Sequence, residues 1–206
     1  MGDDLRARPF LEGDLDRDPF RLFERWYAEA AAVVPFPEAM ALATAAADGA
    51  PSVRMVLLKE FGEGGFVFHT GYGSRKAGEL DANPRAALLL YWHELGRQVR
   101  VEGEVERLAD ADSDTYFRTR PRGGQIAAWA SGQGRAIAGR GELDSAYARF
   151  EAEFEGGDVP RPPEWGGYRL RPGAFEFWQH RENRLHDRFR YLPVASGGWR
   201  VERLAP

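Results

Sequence analysis

Residues 39–61 read AMALATAAADGAPSVRMVLLKEF, and this stretch decides the fold. Two runs with alternating character, AMALATAA and SVRMVLLKEF, flank the turn sequence ADGAP. Alternation with a period of two is typical of a strand, and a short link that contains Asp-Gly joins antiparallel neighbours. The stretch therefore predicts a β-hairpin, and GFVFHT directly after it predicts a third strand.

Similar runs follow, separated by short links and a few helical segments. Strands are expected at RAALLLYW, RQVRVEGEVERL, GYRLRP, AFEFWQ, RLHDRFRY and WRVERLAP. Helices are expected after Asp18-Pro19, in SRKAGELDAN after Ser74, in ADSDTYFRTR, around QIAAWAS and in ELDSAYARFEAEF. Because short links favour antiparallel pairing, the sequence predicts a mainly β, α+β fold: an antiparallel barrel, closed or nearly closed, with peripheral helices.

Length and composition limit the class of protein. The chain has 206 residues, which is enough for one substantial core but short for two domains. Residues 1–17 are polar and lack periodicity, so we expect a flexible arm there and a single domain over residues 18–206. The net charge of −4 argues against a protein that coats nucleic acid, and the absence of cysteine excludes disulfides and thiolate chemistry. Without a membrane-length apolar run or a signal peptide at the acidic N-terminus, a cytoplasmic protein with no membrane partner is expected.

Lysine is rare in this chain. Of the 28 basic residues only Lys59 and Lys76 are lysines, and the rest are arginines. A coding bias toward arginine explains the arginines but leaves open why lysine persists at two positions. A compact ammonium on a flexible stem fits a tight site that a planar guanidinium does not. Both lysines are therefore candidate site residues.

A helix start rich in hydrogen-bond donors follows the third strand. HTGYGSRKAGEL leads a glycine-rich loop through Ser74 into a helix whose first turn holds Arg75 and Lys76. Cations at a helix N-terminus oppose its dipole unless an anion lies in front of them. Free N–H groups, a hydroxyl, a guanidinium and an ammonium together suit a phosphate. The alternative is a basic helix start that is simply solvated.

Three further segments carry candidate groups. Tyr116 and Arg120 are four residues apart and are expected on one helix face. There the hydroxyl and the guanidinium can bind a second phosphate or a carboxylate. The alternative is a stacking pair on the surface. In SVRMVLLKEF, each face of the strand carries one cation, Arg54 or Lys59, and the simpler interpretation is that both side chains point outward at the barrel rim. If RLHDRF is a strand, Arg184, His186 and Arg188 share one face and repel one another. The histidines lack metal-ligand spacing, and no metal site is predicted.

Several motifs together resemble one enzyme family. RMVLLK, GSRKAGEL, RQVRVEG, YFRTRPRGGQI, WGGYRL, FEFWQ, RLHDRF and the terminal RLAP resemble, in that order, the pyridoxamine 5′-phosphate oxidase (pyridoxine 5′-phosphate oxidase) family. The resemblance implies an antiparallel split β-barrel that binds flavin mononucleotide (FMN) at a homodimer interface, with the C-terminal strands in the dimer. It also implies oxidation of pyridoxamine or pyridoxine 5′-phosphate to pyridoxal 5′-phosphate, with dioxygen as acceptor and hydrogen peroxide released.

The resemblance further assigns residues to the cofactor and the substrate. The positions that match flavin-binding ones are Arg54, Met55, Val56, Leu57, Leu58, Lys59, His69, Thr70, Ser74, Arg75, Lys76, Gln98, Gln133, Trp178 and Arg188. Those that match substrate-phosphate ligands are Lys59, Tyr116 and Arg120. Arg184 and His186 match the residues that flank the pyridine ring, and they are the catalytic candidates. Anionic ligands would then offset the charge of RLHDRF, and each lysine would lie beside one phosphate.

The sequence also departs from the family pattern. Gly124 and Gly134 stand where serine is usual, and His180 stands where glycine is usual. The N-terminal arm lacks the arginine–tyrosine lid of some members. Two alternatives therefore stay open: a related flavin oxidase with another aromatic substrate, such as a dihydrophenazine precursor, and a non-catalytic protein that binds flavin or pyridoxal phosphate.

Overall fold

The computed structural model describes residue 6 and residues 8–206. The helices are α1 (Pro19–Ala31), α2 (Arg75–Ala82), α3 (Asp110–Thr119), α4 (Arg122–Ala130) and α5 (Arg140–Glu153). The strands are β1 (Ala39–Ala45), β2 (Pro51–Leu57), β3 (Glu60–Gly62), β4 (Gly65–Gly71), β5 (Arg85–Trp92), β6 (Arg97–Arg107), β7 (Trp165–Gln179), β8 (Asp187–Pro193) and β9 (Trp199–Arg203). Within the described ranges, no helix combines the length and apolar character that crossing a membrane requires.

The strands form one antiparallel sheet that curls into a half-barrel. Its order is β2-β1-β5-β6-β7-β4-β3, and β8 and β9 extend it from β7. The predicted hairpin is confirmed, because β1 pairs with β2 from Ala39 opposite Leu57 to Ala45 opposite Pro51. The predicted antiparallel fold with peripheral helices is confirmed as well. β7 is the central strand: β4 pairs with its first half and β8 with its second half.

The two expected strands GYRLRP and AFEFWQ are a single strand of 15 residues, β7. Pro172 and Gly173 usually interrupt strands, but here the ladder with β6 shifts register between Glu102 and Gly103. Gly103 makes this close approach feasible, since a Cβ atom there would lie 1.9 Å from the carbonyl oxygen of Arg171. A bulge therefore absorbs the irregularity, and the strand continues.

The core lies between the sheet and α1. Asp18 caps α1 by accepting a hydrogen bond from the Phe20 N–H at 2.9 Å, and Pro19 begins the helix, as predicted. The buried face of α1 presents Phe23 and Trp26, which pack edge-on against Phe66 and Phe177. Each such side chain contributes about 1.5–3 kcal/mol when fully buried. A smaller cluster of Phe117, Ile126, Val159 and Trp165 fixes α3 and α4 to the start of β7.

The RLHDRF segment differs from the predicted strand. β8 begins only at Asp187, and Arg184 ends a 3₁₀ turn, Glu182–Arg184. Asn183 and Arg184 adopt positive φ angles of 55° and 61°, so the chain reverses before the strand starts. The reversal lets the Arg181 N–H donate to His186 Nδ1 at 3.1 Å. The prediction that Arg184 shares a strand face with His186 and Arg188 is therefore wrong.

The segment before α1 lies against the domain, which differs from the flexible arm expected for residues 1–17. Phe10 is buried, and its ring packs edge-on against Trp26 and Phe189. The Phe10 N–H donates to Asp187 Oδ2 at 3.2 Å. Phe10, the partly buried Leu15 and the Glu12–Arg203 ion pair thus tie residues 8–17 to the domain. Residues 1–5 and 7 of the expected arm lie outside the described residues.

Candidate functional site

The end of β4 and the start of α2 bring several hydrogen-bond donors together. Lys76 Nζ donates to Thr70 Oγ1 at 2.8 Å and to Ser74 Oγ at 3.2 Å. The side-chain oxygen of Gln133 accepts from Thr70 Oγ1 at 2.7 Å, from the Gly71 N–H at 3.1 Å and from Lys76 Nζ at 3.1 Å. We call Thr70, Gly71, Ser74 and Lys76 the donor cluster. Three of its members, Thr70, Gly71 and Lys76, donate to the same oxygen atom, and such convergence is the arrangement that an anion requires.

The side chains of Ser74 and Lys76 bond to each other and do not cap the helix. Ser74 is the N-cap residue of α2, but its side chain makes no capping hydrogen bond and accepts from Lys76 instead. Burial, together with the nearby charge of Arg54, lowers the pKa of Lys76. An anion at the donor cluster would therefore stabilise the ammonium form of this side chain.

Arg54 and Arg75 are held by a carboxylate that sequence reasoning missed, Glu79. Arg54 Nη1 donates to the Leu42 carbonyl oxygen at 3.0 Å, and Nη2 donates to Glu79 Oε2 at 3.2 Å. Arg75 Nε donates to Glu79 Oε1 at 2.7 Å. Hydrogen bonds from Ser52 and Thr44, and then from Arg75, hold the pKa of Glu79 at about 2. The i, i+4 spacing of Arg75 and Glu79 is the sequence signal that could have revealed it.

A second set of polar groups lies beside the donor cluster: Lys59, His69, Tyr116 and Arg120, which we call the Arg120 group. The His69 ring stacks with both Tyr116, at 4.0 Å between ring centroids, and Trp165, at 5.2 Å. Arg120 directly follows α3, and its guanidinium carbon lies 4.7 Å from the centroid of the Trp165 ring. Tyr116 and Arg120 therefore meet at one aromatic stack, although Arg120 lies just beyond the helix and not on its face as predicted.

Burial dominates the electrostatics of the Arg120 group. It lowers the pKa of His69 to about 4, and the charges of Arg120 and Lys59 act in the same direction. Burial also lowers the pKa of Arg120. Among the described residues, Arg120 Nη1 and both ring nitrogens of His69 are buried without a hydrogen-bond partner. A buried guanidinium nitrogen in that state is stabilised by any anion that reaches it.

Thr70 and Lys76 of the donor cluster line one cavity of about 420 Å³ together with the Arg120 group. Ten of the predicted site residues line it: Met55, Val56, Leu57, Lys59, His69, Thr70, Lys76, Tyr116, Arg120 and Gln133. Met55 and Leu57 give it an exposed apolar wall on β2. Leu58 differs from its neighbours, because its side chain is buried in the core.

The remaining predicted residues form a separate set: Gln98, Trp178, Arg184, His186 and Arg188, which we call the C-terminal group. Trp178 lies opposite Gln98 on β6 and opposite Arg188 on β8, and its ring lies 4.5 Å from that of His186. Burial, and then the nearby His180, lowers the pKa of His186. Arg188 Nε donates to the buried carboxylate of Glu176 at 2.9 Å.

The C-terminal group does not line the cavity of the other two sets. β4 pairs with the beginning of β7, where Thr70 lies opposite Gly166, whereas Trp178 lies near the end of β7. At about 3.3 Å per residue, these two points are roughly 40 Å apart along the strand. Within one chain the predicted site is therefore divided into two halves.

The structure shows the local environment of three departures from the family pattern. A Cβ atom at Gly124 would lie 3.4 Å from Arg120 Nη2, so a hydroxyl-bearing residue there would stand next to the guanidinium. Gly134 has a φ angle of +84°, a conformation that favours glycine over serine. The third departure, His180, lies 5.4 Å from the His186 ring.

Two family models match the chain. The one described as pyridoxamine 5′-phosphate oxidase matches residues 27–154, and the one described as the pyridoxine 5′-phosphate oxidase C-terminal dimerisation region matches residues 165–206. Curated relatives named pyridoxine/pyridoxamine 5′-phosphate oxidase include one from Rubrobacter xylanophilus, 57% identical, which covers 95% of this chain and 90% of its own. Another, from Bordetella pertussis, is 53% identical and covers 95% of this chain and 93% of its own.

Solved structures agree with the sequence comparison. PhzG from Burkholderia lata, in complex with tetrahydrophenazine-1-carboxylic acid, superposes with a TM-score of 0.91 at 34% identity and covers 98% of this chain and 100% of its own. A pyridoxamine 5′-phosphate oxidase-related, FMN-binding protein from Nostoc punctiforme shares the fold at a TM-score of 0.74 and 17% identity, over 93% of this chain and 100% of its own.

The curled antiparallel sheet is the split β-barrel fold of these solved structures, and the curated relatives that match nearly the whole chain place it among enzymes of the oxidase type. The chain belongs to the pyridoxamine 5′-phosphate oxidase family.

Proposed function

We propose that this protein is an FMN-dependent oxidase that converts pyridoxamine or pyridoxine 5′-phosphate to pyridoxal 5′-phosphate, with dioxygen as the acceptor and hydrogen peroxide as the second product. The observation that carries the proposal is Arg120 Nη1, which is buried without a hydrogen-bond partner among the described residues and whose side chain shares a cavity with Thr70 and Lys76 of the donor cluster. One cavity then offers two anion-binding positions, as a phosphorylated cofactor beside a phosphorylated substrate requires. The names of relatives at 53–57% identity support the same substrates.

The donor cluster fits the phosphate of FMN. Thr70, the Gly71 N–H and Lys76 already converge on one oxygen atom of Gln133, so a phosphate oxygen at that point would meet the same donors. The apolar wall of Met55 and Leu57 suits a flat aromatic ring. When bound, the flavin supplies the electron acceptor for the substrate, and dioxygen reoxidises it.

The Arg120 group suits the substrate phosphate. With the pKa of His69 at about 4, its ring is neutral at pH 7, and the positive charges in this group are those of Lys59 and Arg120. Two positive charges match a phosphate monoester, which carries nearly two negative charges at that pH. The Tyr116 hydroxyl adds a neutral donor. The Trp165 ring keeps the Arg120 guanidinium in place by stacking.

The C-terminal group completes the cavity from a second copy of the chain. Roughly 40 Å of strand separates the two halves within one chain, and the exposed apolar side chains of Val53, Met55 and Leu57 would be covered in a homodimer. The family description of residues 165–206 as a dimerisation region supports this arrangement.

Arg184 and His186 are the groups that face the substrate ring in this proposal. Arg184 orients the ring and stabilises negative charge, since a guanidinium is not a proton-transfer group. His186 Nδ1 accepts the Arg181 N–H, so the neutral ring carries its proton on Nε2. His186 therefore presents an N–H donor to the substrate through Nε2.

A second candidate function is oxidation of another aromatic anion. Gly124 leaves Arg120 without the neighbouring hydroxyl that serine would supply, and a carboxylate needs fewer donors than a phosphate. The PhzG structure, at 34% identity, holds such a carboxylate compound. Identity is higher to the relatives named for pyridoxine and pyridoxamine phosphates, which favours the phosphate substrates.

The test is an oxidase assay on the FMN-loaded protein. Pyridoxamine 5′-phosphate, pyridoxine 5′-phosphate and a dihydrophenazine carboxylate are supplied in parallel, while pyridoxal phosphate and peroxide are measured. We expect turnover of the phosphates and a much lower rate with the phenazine compound. Preference for the phenazine compound would support the second candidate, and binding without peroxide release would indicate a non-catalytic carrier.

A further inference from the structure

Glu79 is a buried carboxylate next to the donor cluster, and neither the family resemblance nor the relatives give it a role. Its side chain is only 6% exposed. Oε2 accepts from Thr44 Oγ1 and Ser52 Oγ, both at 2.5 Å, and from Arg54 Nη2 at 3.2 Å. Oε1 accepts from Arg75 Nε at 2.7 Å. A carboxylate with this many partners has a defined position.

Glu79 fixes the orientation of the Arg75 guanidinium. The Arg75 side chain is 68% exposed, and such a long side chain samples many rotamers when nothing holds it. Glu79 lies one turn further along α2 and bonds to Nε, which leaves the two Nη groups available for an anion. The guanidinium is therefore oriented before a ligand arrives, which reduces the entropy lost on binding.

Glu79 also restrains Arg54 and changes the local charge. Arg54 donates to the Leu42 carbonyl oxygen, to Thr44 and Ser52, and to Glu79, so its position is set by the protein. Arg54, Arg75 and Lys76 carry three positive charges, and the Glu79 carboxylate reduces the sum to two. A phosphate monoester carries nearly two negative charges at pH 7.

We propose that Glu79 is a positioning residue for the flavin phosphate. It holds Arg75 through Nε and Arg54 through Nη2, and it sets the charge around the donor cluster to that of a phosphate dianion. The inference rests on the proposed FMN function, and its test separates the two.

The test compares FMN with riboflavin, which has the same ring system but no phosphate. The dissociation constants of both are measured by quenching of flavin fluorescence on the flavin-free full-length protein, along with the melting temperature. Glu79→Ala should lower the preference for FMN over riboflavin by about ten- to a hundredfold, the effect of losing a charge-assisted hydrogen bond. Riboflavin affinity should stay unchanged.

Three further variants sharpen the comparison. Glu79→Gln should give an intermediate loss of FMN preference, because its amide oxygen still accepts from Arg75 Nε while the negative charge is gone. If the alanine variant does not fold, this variant alone tests the inference. Lys76→Ala is the reference for a direct phosphate ligand. Glu29→Gln is the control, since Glu29 pairs with the buried Arg97 away from the donor cluster and should change stability alone.

The outcomes separate clearly. An unchanged FMN preference in both Glu79 variants would overturn the inference, and a raised preference would mean that Glu79 only competes with the phosphate. Equal losses of FMN and riboflavin affinity, together with a lower melting temperature, would reduce Glu79 to a structural role. If the wild-type protein binds FMN and riboflavin equally well, the proposed FMN function fails first and the inference falls with it.

Discussion

Replacing Arg120 with methionine should reduce activity sharply while it leaves stability close to that of the wild type or above it. Methionine keeps an apolar stem of similar length against Trp165 but removes the guanidinium, whose Nη1 is buried without a partner among the described residues. Removing the half-buried guanidinium with its unpaired Nη1 relieves part of a desolvation cost, while the lost cation–π contact costs about 0.5–2 kcal/mol. We expect the flavin-bound protein without substrate to melt within about 4 °C of the wild type, or above it.

The activity of the same variant should fall sharply. The substrate phosphate would lose one charge-assisted hydrogen bond, worth about 1.5–3 kcal/mol, which corresponds to roughly a ten- to 150-fold lower kcat/KM for pyridoxine 5′-phosphate. The loss should lie mainly in KM, because the phosphate is remote from the reacting carbon. Steady-state kinetics and a melting curve on the flavin-loaded variant measure both effects.

Arg118→Met provides the matched control, because Arg118 lies exposed in the last turn of α3, two residues before Arg120, and its replacement should change neither quantity. The reasoning is refuted if Arg120→Met keeps the wild-type kcat/KM. It is also refuted if the variant loses several degrees of melting temperature and its activity falls only in proportion to the unfolded fraction.

Three other predictions concern the two halves of the site. Arg184→Ala should retain bound flavin and lose kcat/KM, whereas Arg188→Ala should lose flavin and regain activity when FMN is added; identical behaviour of both in flavin occupancy and kinetics would contradict their separate roles. Met55→Glu, on the exposed apolar wall, should convert a homodimer into monomers that release flavin, as measured by light scattering; a dimer of unchanged stability would argue against that interface. His69 has a folded pKa of about 4, below its ordinary value of 6.5, so the unfolded chain binds its proton more readily. Its contribution to stability is present above pH 6.5 and is lost as the pH falls toward 4, by at most about 1.4 kcal/mol per pH unit. The melting temperature of His69→Gln should therefore depend less on pH over this range, and parallel curves for variant and wild type would count against the burial argument.

Local patterns predicted the features that depend on local chemistry. The hairpin of residues 39–61 follows from alternation and an Asp-Gly turn, and the start of α1 follows from Asp18-Pro19. A polar cluster at the start of α2 could be anticipated, because two cations there oppose the helix dipole unless negative charge lies nearby. These signals lie within about ten residues of one another in the sequence, where short-range rules apply.

The features that were not predicted depend on contacts between distant segments. β7 continues through Pro172 because Gly103 on the neighbouring strand leaves room for the bulge. Phe10 is buried because Trp26 and Phe189 meet in three dimensions. The stacking of His69 with Tyr116 and Trp165 joins three separate elements. Such juxtapositions are set by the folded topology and leave no periodic pattern in the sequence.

The central claim is that the divided site forms a working flavin oxidase for a phosphorylated pyridine compound. The most direct measurement follows pyridoxamine 5′-phosphate with the FMN-loaded protein, recording pyridoxal 5′-phosphate by absorbance together with oxygen consumption and peroxide. The account predicts that pyridoxal phosphate and peroxide appear in equal amounts, matched by the oxygen consumed. Flavin-loaded, folded protein that yields neither product from either phosphate substrate would contradict it.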